Sequence, residues 1–140
     1  ELVQLPGWHM HTNKTALSNI YYFGVQPNPA HKGSLLAVYP LAHNGRGCVA
    51  MSISRNGRSW SHPATLLPSD LDDYKVRTAI QPASPALVLN GDHVYVYVHQ
   101  NVPGLTGLGK RQSKVVRFNM SLAALRAWSI AMLHDRDQWG

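Results

Sequence analysis

The sequence has one cysteine, Cys48, and one glutamate, Glu1, among 140 residues. A lone cysteine excludes an internal disulfide framework and any multi-cysteine zinc site. A glutamate found only at position 1 excludes any mechanism that rests on an interior Glu as acid or base. Long apolar runs are also lacking. The longest mostly apolar stretch, Leu122 to Leu133, carries Arg126 and is shorter than the 18 or so residues of a bilayer-spanning helix. Near Glu1 no charged segment is followed by an apolar one, so no signal peptide is expected. The chain reads as a mature form, a processed product or a fragment. Charge is scarce as well, at 14% of residues against about 25% in an ordinary globular chain.

Apolar residues make up 44%, which suits one folded domain and excludes a disordered tail. Thirteen Lys and Arg against seven Asp and Glu give a formal charge of +6. The imbalance is a shortage of acids more than a surplus of bases. It favours anionic partners such as nucleic acid, acidic lipid or an acidic assembly. Lys110, Arg111, Lys114 and Arg117 gather near one loop and strand, where they would meet phosphates. The spacing of Lys114 and Arg117 does not put all of them on one strand face, so nucleic acid is only a competing partner class.

Eleven glycines and nine prolines are spread along the chain, with no long helical window before residue 120. That punctuation predicts many short strands joined by turns. Ile20 to Val25 reads as a strand, and Ser34 to Tyr39 as a second one closed by Pro40. Cys48 to Ser54 reads as a third, and Ser59-Trp60-Ser61 begins the next. Pro85 to Leu89 and His93 to His99 form the clearest hairpin, and Lys114 to Asn119 is a later strand. Asn-Gly pairs at 44–45, 56–57 and 90–91 mark tight turns. In His93 to His99 a period of two places Val94, Val96 and Val98 on one face and His93, Tyr95, Tyr97 and His99 on the other. Residues 66–77 read as a polar loop with a helical turn capped by Ser69. Residues 121–133 read as a short helix with Ser121 as N-cap. The alternative there is a helical turn over 121–126 followed by a strand from Trp128.

Ser34 to Leu41, followed by Cys48 to Ser61, resembles a blade of the five-bladed β-propeller glycosidases, the superfamily of arabinanases, xylosidases, invertases and levansucrases. Blades of that group often read as an apolar strand, Ser, any residue, Asp-Gly, two residues and Trp. Ser54, Asn56, Gly57 and Trp60 match, with Asn in place of the usual Asp. The related sialidase motif has a different spacing and fits less well. The hairpin from Leu87 to His99 is similar to the next inner blade. The resemblance therefore implies an all-β antiparallel meander, part of a five-bladed propeller-like domain, with one short C-terminal helical segment. At about 40–45 residues per blade the chain holds about three blades in a single partial domain.

The resemblance also implies carboxylate catalysis with a glutamate as general acid, and this chain lacks that glutamate. Asp70, Asp72 and Asp73 form a loop cluster, and Asp92 suits a turn, so no pair of placed carboxyls is evident. Glycan binding is therefore expected over hydrolysis. The expected ligand-binding residues are Arg77, Tyr95, Tyr97, His99 and Asn101, since rings stack on sugars and imidazoles hydrogen-bond to them. Ser54, Asn56, Gly57 and Trp60 are expected to shape the blade. The alternative reading is a non-catalytic accessory or structural subunit of a larger protein assembly, organellar ones included. No cofactor is expected. His9 and His11 are spaced to share a metal on one strand face, but a polar face is the simpler reading, and no metal is expected. Cys48, in an apolar strand, reads as a buried and unreactive thiol. Residues 104–110 lack the Ser or Thr of a phosphate-binding loop, and no Gly-x-Ser-x-Gly nucleophile motif is present. Asn13-Lys14-Thr15 and Asn119-Met120-Ser121 fit the glycosylation pattern.

Overall fold

A computed structural model of the protein describes residues 19–20, 22–43, 46–68, 80–100 and 113–135. They form an all-β body of two antiparallel sheets followed by one helix. The first sheet contains β1 (Asn19–Ile20), β2 (Gly24–Pro27), β3 (Leu35–His43), β4 (Arg46–Ser54) and β5 (Ala64–Pro68). Strand β3 pairs with β4 along one edge and with both β1 and β2 along the other, and β4 pairs with β5. The second sheet is β6 (Ile80–Asn90), β7 (His93–Gln100) and β8 (Lys114–Ser121) in that order. Helix α1 (Leu122–Asp135) follows directly.

The near-continuous apolar run of β3 has its cause in the layering: both faces of this strand are covered. One face carries Leu36 and Val38, beside Val49 and Met51 of β4. These meet Leu87, Val94, Val96 and Val98 of the second sheet and Leu125 of α1 in the main core. On the other face Ala37, Tyr39, Ala50 and Trp60 form a second cluster with Ile20, Phe23 and Leu41. Small residues at Ala37, Ala50 and Ser52 leave room there for three large rings. Phe23 lies 4.8 Å from Tyr39 and meets Trp60 edge-on at 4.9 Å, a favoured aromatic geometry. The Tyr39 hydroxyl satisfies itself on Ser52 Oγ at 2.6 Å, as a fully buried phenol must.

The expected strand from Ile20 to Val25 is in fact broken in two. Ile20 stands opposite Leu41 and Gly24 opposite Val38, so four steps along one strand answer three along the other. The extra residue is a bulge, and it has a packing reason. Residues 20 and 23 would face opposite ways in a regular strand, whereas both Ile20 and Phe23 must reach the second cluster. Pro40 does not close its strand either. It pairs with Val49 in mid-ladder, and on its other side it faces the bulge, where a missing N–H removes no ladder bond. Ser59 to Ser61 do not begin a strand. Ser61 returns to bond Ile53, and β5 starts only at Ala64. Leu66 and Leu67 belong to β5 and pack on the main core at a second irregularity, rather than opening a polar loop. Ser69 and the rest of the expected loop lie outside the described residues.

In the second sheet the Asn90-Gly91 turn forms as expected, with Gly91 at φ +61°. Valines 94, 96 and 98 are buried at 0%, 1% and 0% exposure, which confirms the period of two. Strand β6 is longer than its expected Pro85–Leu89 core, but its ladder is interrupted between Pro82 and Leu87, where two prolines cannot donate. Two bonds clip β6 to the first sheet on either side of that gap. The Tyr22 hydroxyl donates to the Pro82 carbonyl, and the Leu87 N–H donates to Gln26 Oε1 at 3.3 Å.

Helix α1 runs through Trp128 to Asp135, so no strand starts at Trp128. Ser121 caps it, accepting a bond from the Ala124 N–H at 3.1 Å. Leu125, Ser129 and Leu133, spaced by four, form its buried stripe. Ser129 is there for Asn28. The buried Asn28 amide donates to Ser34 Oγ at 3.1 Å and to Ser129 Oγ at 2.9 Å, and its carbonyl accepts from the Ala30 N–H at 2.9 Å. The Arg126 Nε adds a bond to the Ala30 carbonyl at 3.3 Å. The β2–β3 loop is thereby fastened to the helix.

Candidate functional site

The Ser54–Trp60 segment runs from the last residue of β4 into the loop before β5, and each matching position of the motif has a local task. Ser54 Oγ donates to the Ser59 carbonyl at 2.5 Å and accepts from the Gly57 N–H at 2.9 Å. Asn56 Oδ1 accepts from the N–H groups of Arg58 and Ser59 at 2.9 and 3.0 Å. Gly57 supplies a φ of +73°, and a Cβ there would meet Leu35 Cδ1 at 3.3 Å. Trp60 Nε1 donates to the Gly57 carbonyl at 3.1 Å while the ring is 1% exposed. All the polar atoms of the motif named here are used within the loop. It is a self-satisfied turn that drives Trp60 into the second cluster.

The ligand-binding expectation falls on the second sheet. Tyr95, Tyr97 and His99 share the face of β7 opposite Val94, Val96 and Val98. The sequence did not reveal that Arg117 joins them. The ladder sets Arg117 opposite Tyr97, and its guanidinium leans diagonally to lie 4.6 Å from the centre of the Tyr95 ring. That is cation–π distance. Asn90 Nδ2 donates to the Tyr95 hydroxyl at 2.9 Å, fixing the ring from the other side. His99 Nε2 shares a hydrogen bond with Ser113 Oγ. Lys114 pairs with Gln100 and so stands on the opposite face from Arg117, as the alternation predicted. Tyr97 lies opposite the interrupted stretch of β6 and so has a ladder partner only in β8. Arg77 and Asn101 lie outside the described residues, as do His9 and His11. Only register could have found Arg117 in advance, and the 13 residues between β7 and β8 are too many for their Pro103-Gly104 turn signal to fix it.

Carboxylate chemistry gains no support among the described residues. Their acids are Asp92 in the β6–β7 turn and Asp135 at the end of α1. The Asp92 carbonyl accepts from the Leu122 N–H, at the opposite end of the helix from Asp135. Thirteen helical residues put the two roughly 20 Å apart, well beyond the spacing of a glycosidase pair. Asp92 instead meets His93 at 3.4 Å on the surface. No group of three or more metal-ligating side chains occurs among the described residues.

The displaced titratable groups belong to the packing. Burial pushes the Tyr39 phenol up to about 12 against the opposing pull of its Ser52 bond. Burial likewise raises Tyr22 and the Cys48 thiol, the latter countered by a hydrogen bond with Thr65. Cys48 is half-buried rather than fully enclosed. A raised thiol is a poor nucleophile at neutral pH. Among the described residues no helix is long and apolar enough to cross a membrane.

No family model, no curated protein and no solved structure matches the chain.

Proposed function

We propose that the protein is a carbohydrate-related domain that binds glycan on the outward face of its second sheet. The observation that carries this reading is the row of Tyr95, Tyr97 and His99 on a solvent-facing strand, with Arg117 beside it. A sugar ring lays its C–H face on an aromatic ring, while its hydroxyls take hydrogen bonds from side chains at the rim. Tyr97 is the stacking platform, since Arg117 occupies Tyr95. His99 and Asn90 stand at the two ends of the row. Binding rather than hydrolysis is supported by the distance between the described carboxylates.

The propeller parentage is part of the same reading. Two meander sheets share a core, as adjacent blades would, and the Ser54–Trp60 turn, which carries the blade motif in sequence, buries its Trp. Glycan-array screening followed by calorimetry tests the binding. Tyr97→Ala is expected to weaken the best glycan about five- to tenfold, the worth of one aromatic contact of about 1 kcal/mol or more. Unchanged affinity with intact folding would remove Tyr97 from the site.

One observation favours a second reading, an accessory subunit in a larger assembly. Val88 and Val115 are 38% and 62% exposed on that same face. A protein partner there would appear in native mass spectrometry of the source material as a complex heavier than the 15.5 kDa chain.

A further inference from the structure

The charge on this face is one-signed where the sugar would lie. Arg117 is exposed, and among the described residues its guanidinium's interaction is with the Tyr95 ring. A guanidinium held over a ring by cation–π attraction spends none of its N–H groups on a hydrogen bond there, and its fork matches the two oxygens of a carboxylate or sulfate. The ring does not neutralise it. Among the described residues the nearest acid along the sheet is Asp92, three residues from Tyr95, over which the guanidinium lies. At about 3.3 Å per residue that is roughly 10 Å, a little beyond the screening length of physiological salt, about 8 Å. Asp92 is in any case beside His93. The fork is therefore held in place, next to Tyr97, with no anion of its own among the described residues.

We infer that the saccharide taken by this face is anionic, its ring on Tyr97 and its carboxylate or sulfate on Arg117. This rests on the glycan-binding reading above and narrows it to a substrate class. Among the described residues the arrangement differs from a general polyanion patch in having one Arg beside a ring rather than a row of Lys and Arg.

The test is an array of neutral, uronate-bearing and sulfated oligosaccharides, with each hit compared with its charge-blocked counterpart, the methyl ester or the desulfated form. Inorganic polyphosphate is the control polyanion. The expected result is that the acidic form binds about tenfold more tightly than its blocked form. Arg117→Gln is expected to abolish that ratio, while Tyr97→Ala weakens both forms. Which acidic arm binds distinguishes carboxylate from sulfate. Arg117→Lys, which keeps the charge and loses the fork, is expected to recover only part of the ratio, and all variants are checked for an unchanged unfolding midpoint. Equal binding of acidic and blocked forms would overturn the inference and leave the glycan face standing. Polyphosphate binding as tight as the best acidic saccharide, and indifferent to Tyr97→Ala, would overturn it in favour of a charge patch. Failure of every saccharide to bind would overturn both this inference and the reading beneath it.

Discussion

Replacing Asn28 by alanine removes three buried hydrogen bonds at once. Two are donated by its amide, to Ser34 at 3.1 Å and Ser129 at 2.9 Å, and one is accepted from the Ala30 N–H at 2.9 Å. The three losses are unequal. Ser129 still donates to the Leu125 carbonyl at 2.8 Å and Ser34 to the His31 carbonyl at 3.0 Å, so both hydroxyls keep a partner. The Ala30 N–H does not, and Ala30 is only 5% exposed. An orphaned buried donor costs about 1–3 kcal/mol, and the two lost amide bonds add about 1 kcal/mol together after solvation of the freed hydroxyls. The sum is about 3 kcal/mol, or roughly 12 °C in midpoint for a chain of this size. Urea unfolding followed by tryptophan fluorescence measures it. Ser129→Ala, which leaves Ala30 satisfied, is expected to lose only about 1 kcal/mol, and a double-mutant cycle should show the two sites coupled. An Asn28→Ala variant within 0.5 kcal/mol of the parent, on the order of ordinary surface substitutions, would refute the claim that this residue fastens loop to helix.

Three further outcomes are expected. The raised phenol of Tyr39 means the fold holds its neutral form, so its contribution is whole below pH 10 and is lost as pH climbs to about 12. Two units correspond to about 2–3 kcal/mol, read as a fall in alkaline stability that Tyr39→Phe would abolish. Gly57→Ala should destabilise by about 1–2 kcal/mol, because its φ is +73° and the new Cβ crowds Leu35. Gly91→Ala, at φ +61° in open space, should lose about 1 kcal/mol, and thermal unfolding giving the reverse order would contradict the packing at Gly57. Cys48 should alkylate more slowly at pH 8 than a free thiol, and Thr65→Val should slow it further by removing the bond that lowers its pKa. Faster alkylation of the variant would reverse the assigned role of Thr65.

Local patterns carried much of this fold. The alternation in β7, the turn at Asn90-Gly91 and the cap at Ser121 each depend on a few neighbouring residues, and each formed as the residues predicted. Tyr95, Tyr97 and His99 were legible as one face for the same reason. What escaped depends on partners distant in sequence. The bulge between Ile20 and Gly24 exists because a cluster built from Tyr39 and Trp60 requires Phe23 on its side. Pro40 reads as a terminator until that bulge supplies a place for its missing donor. Arg117 on Tyr95 needs the register of β7 and β8, and a 13-residue connection does not announce it. Asn28 and Ser129 are 101 residues apart, and nothing near either one names the other.

That last separation bears on synthesis. As the chain leaves the ribosome, β3 and β4 emerge before α1 with apolar residues on both faces, and the valines of β7 follow. The main core stays open until α1 brings Leu125 and Ser129 back to the β2–β3 loop. Closing a loop of that length costs on the order of 4 kcal/mol in chain entropy, with no bond formed until it is nearly complete. Until that helix emerges the nascent chain therefore displays an unsealed apolar layer, the kind of surface that chaperones hold and that neighbouring nascent chains mispair with.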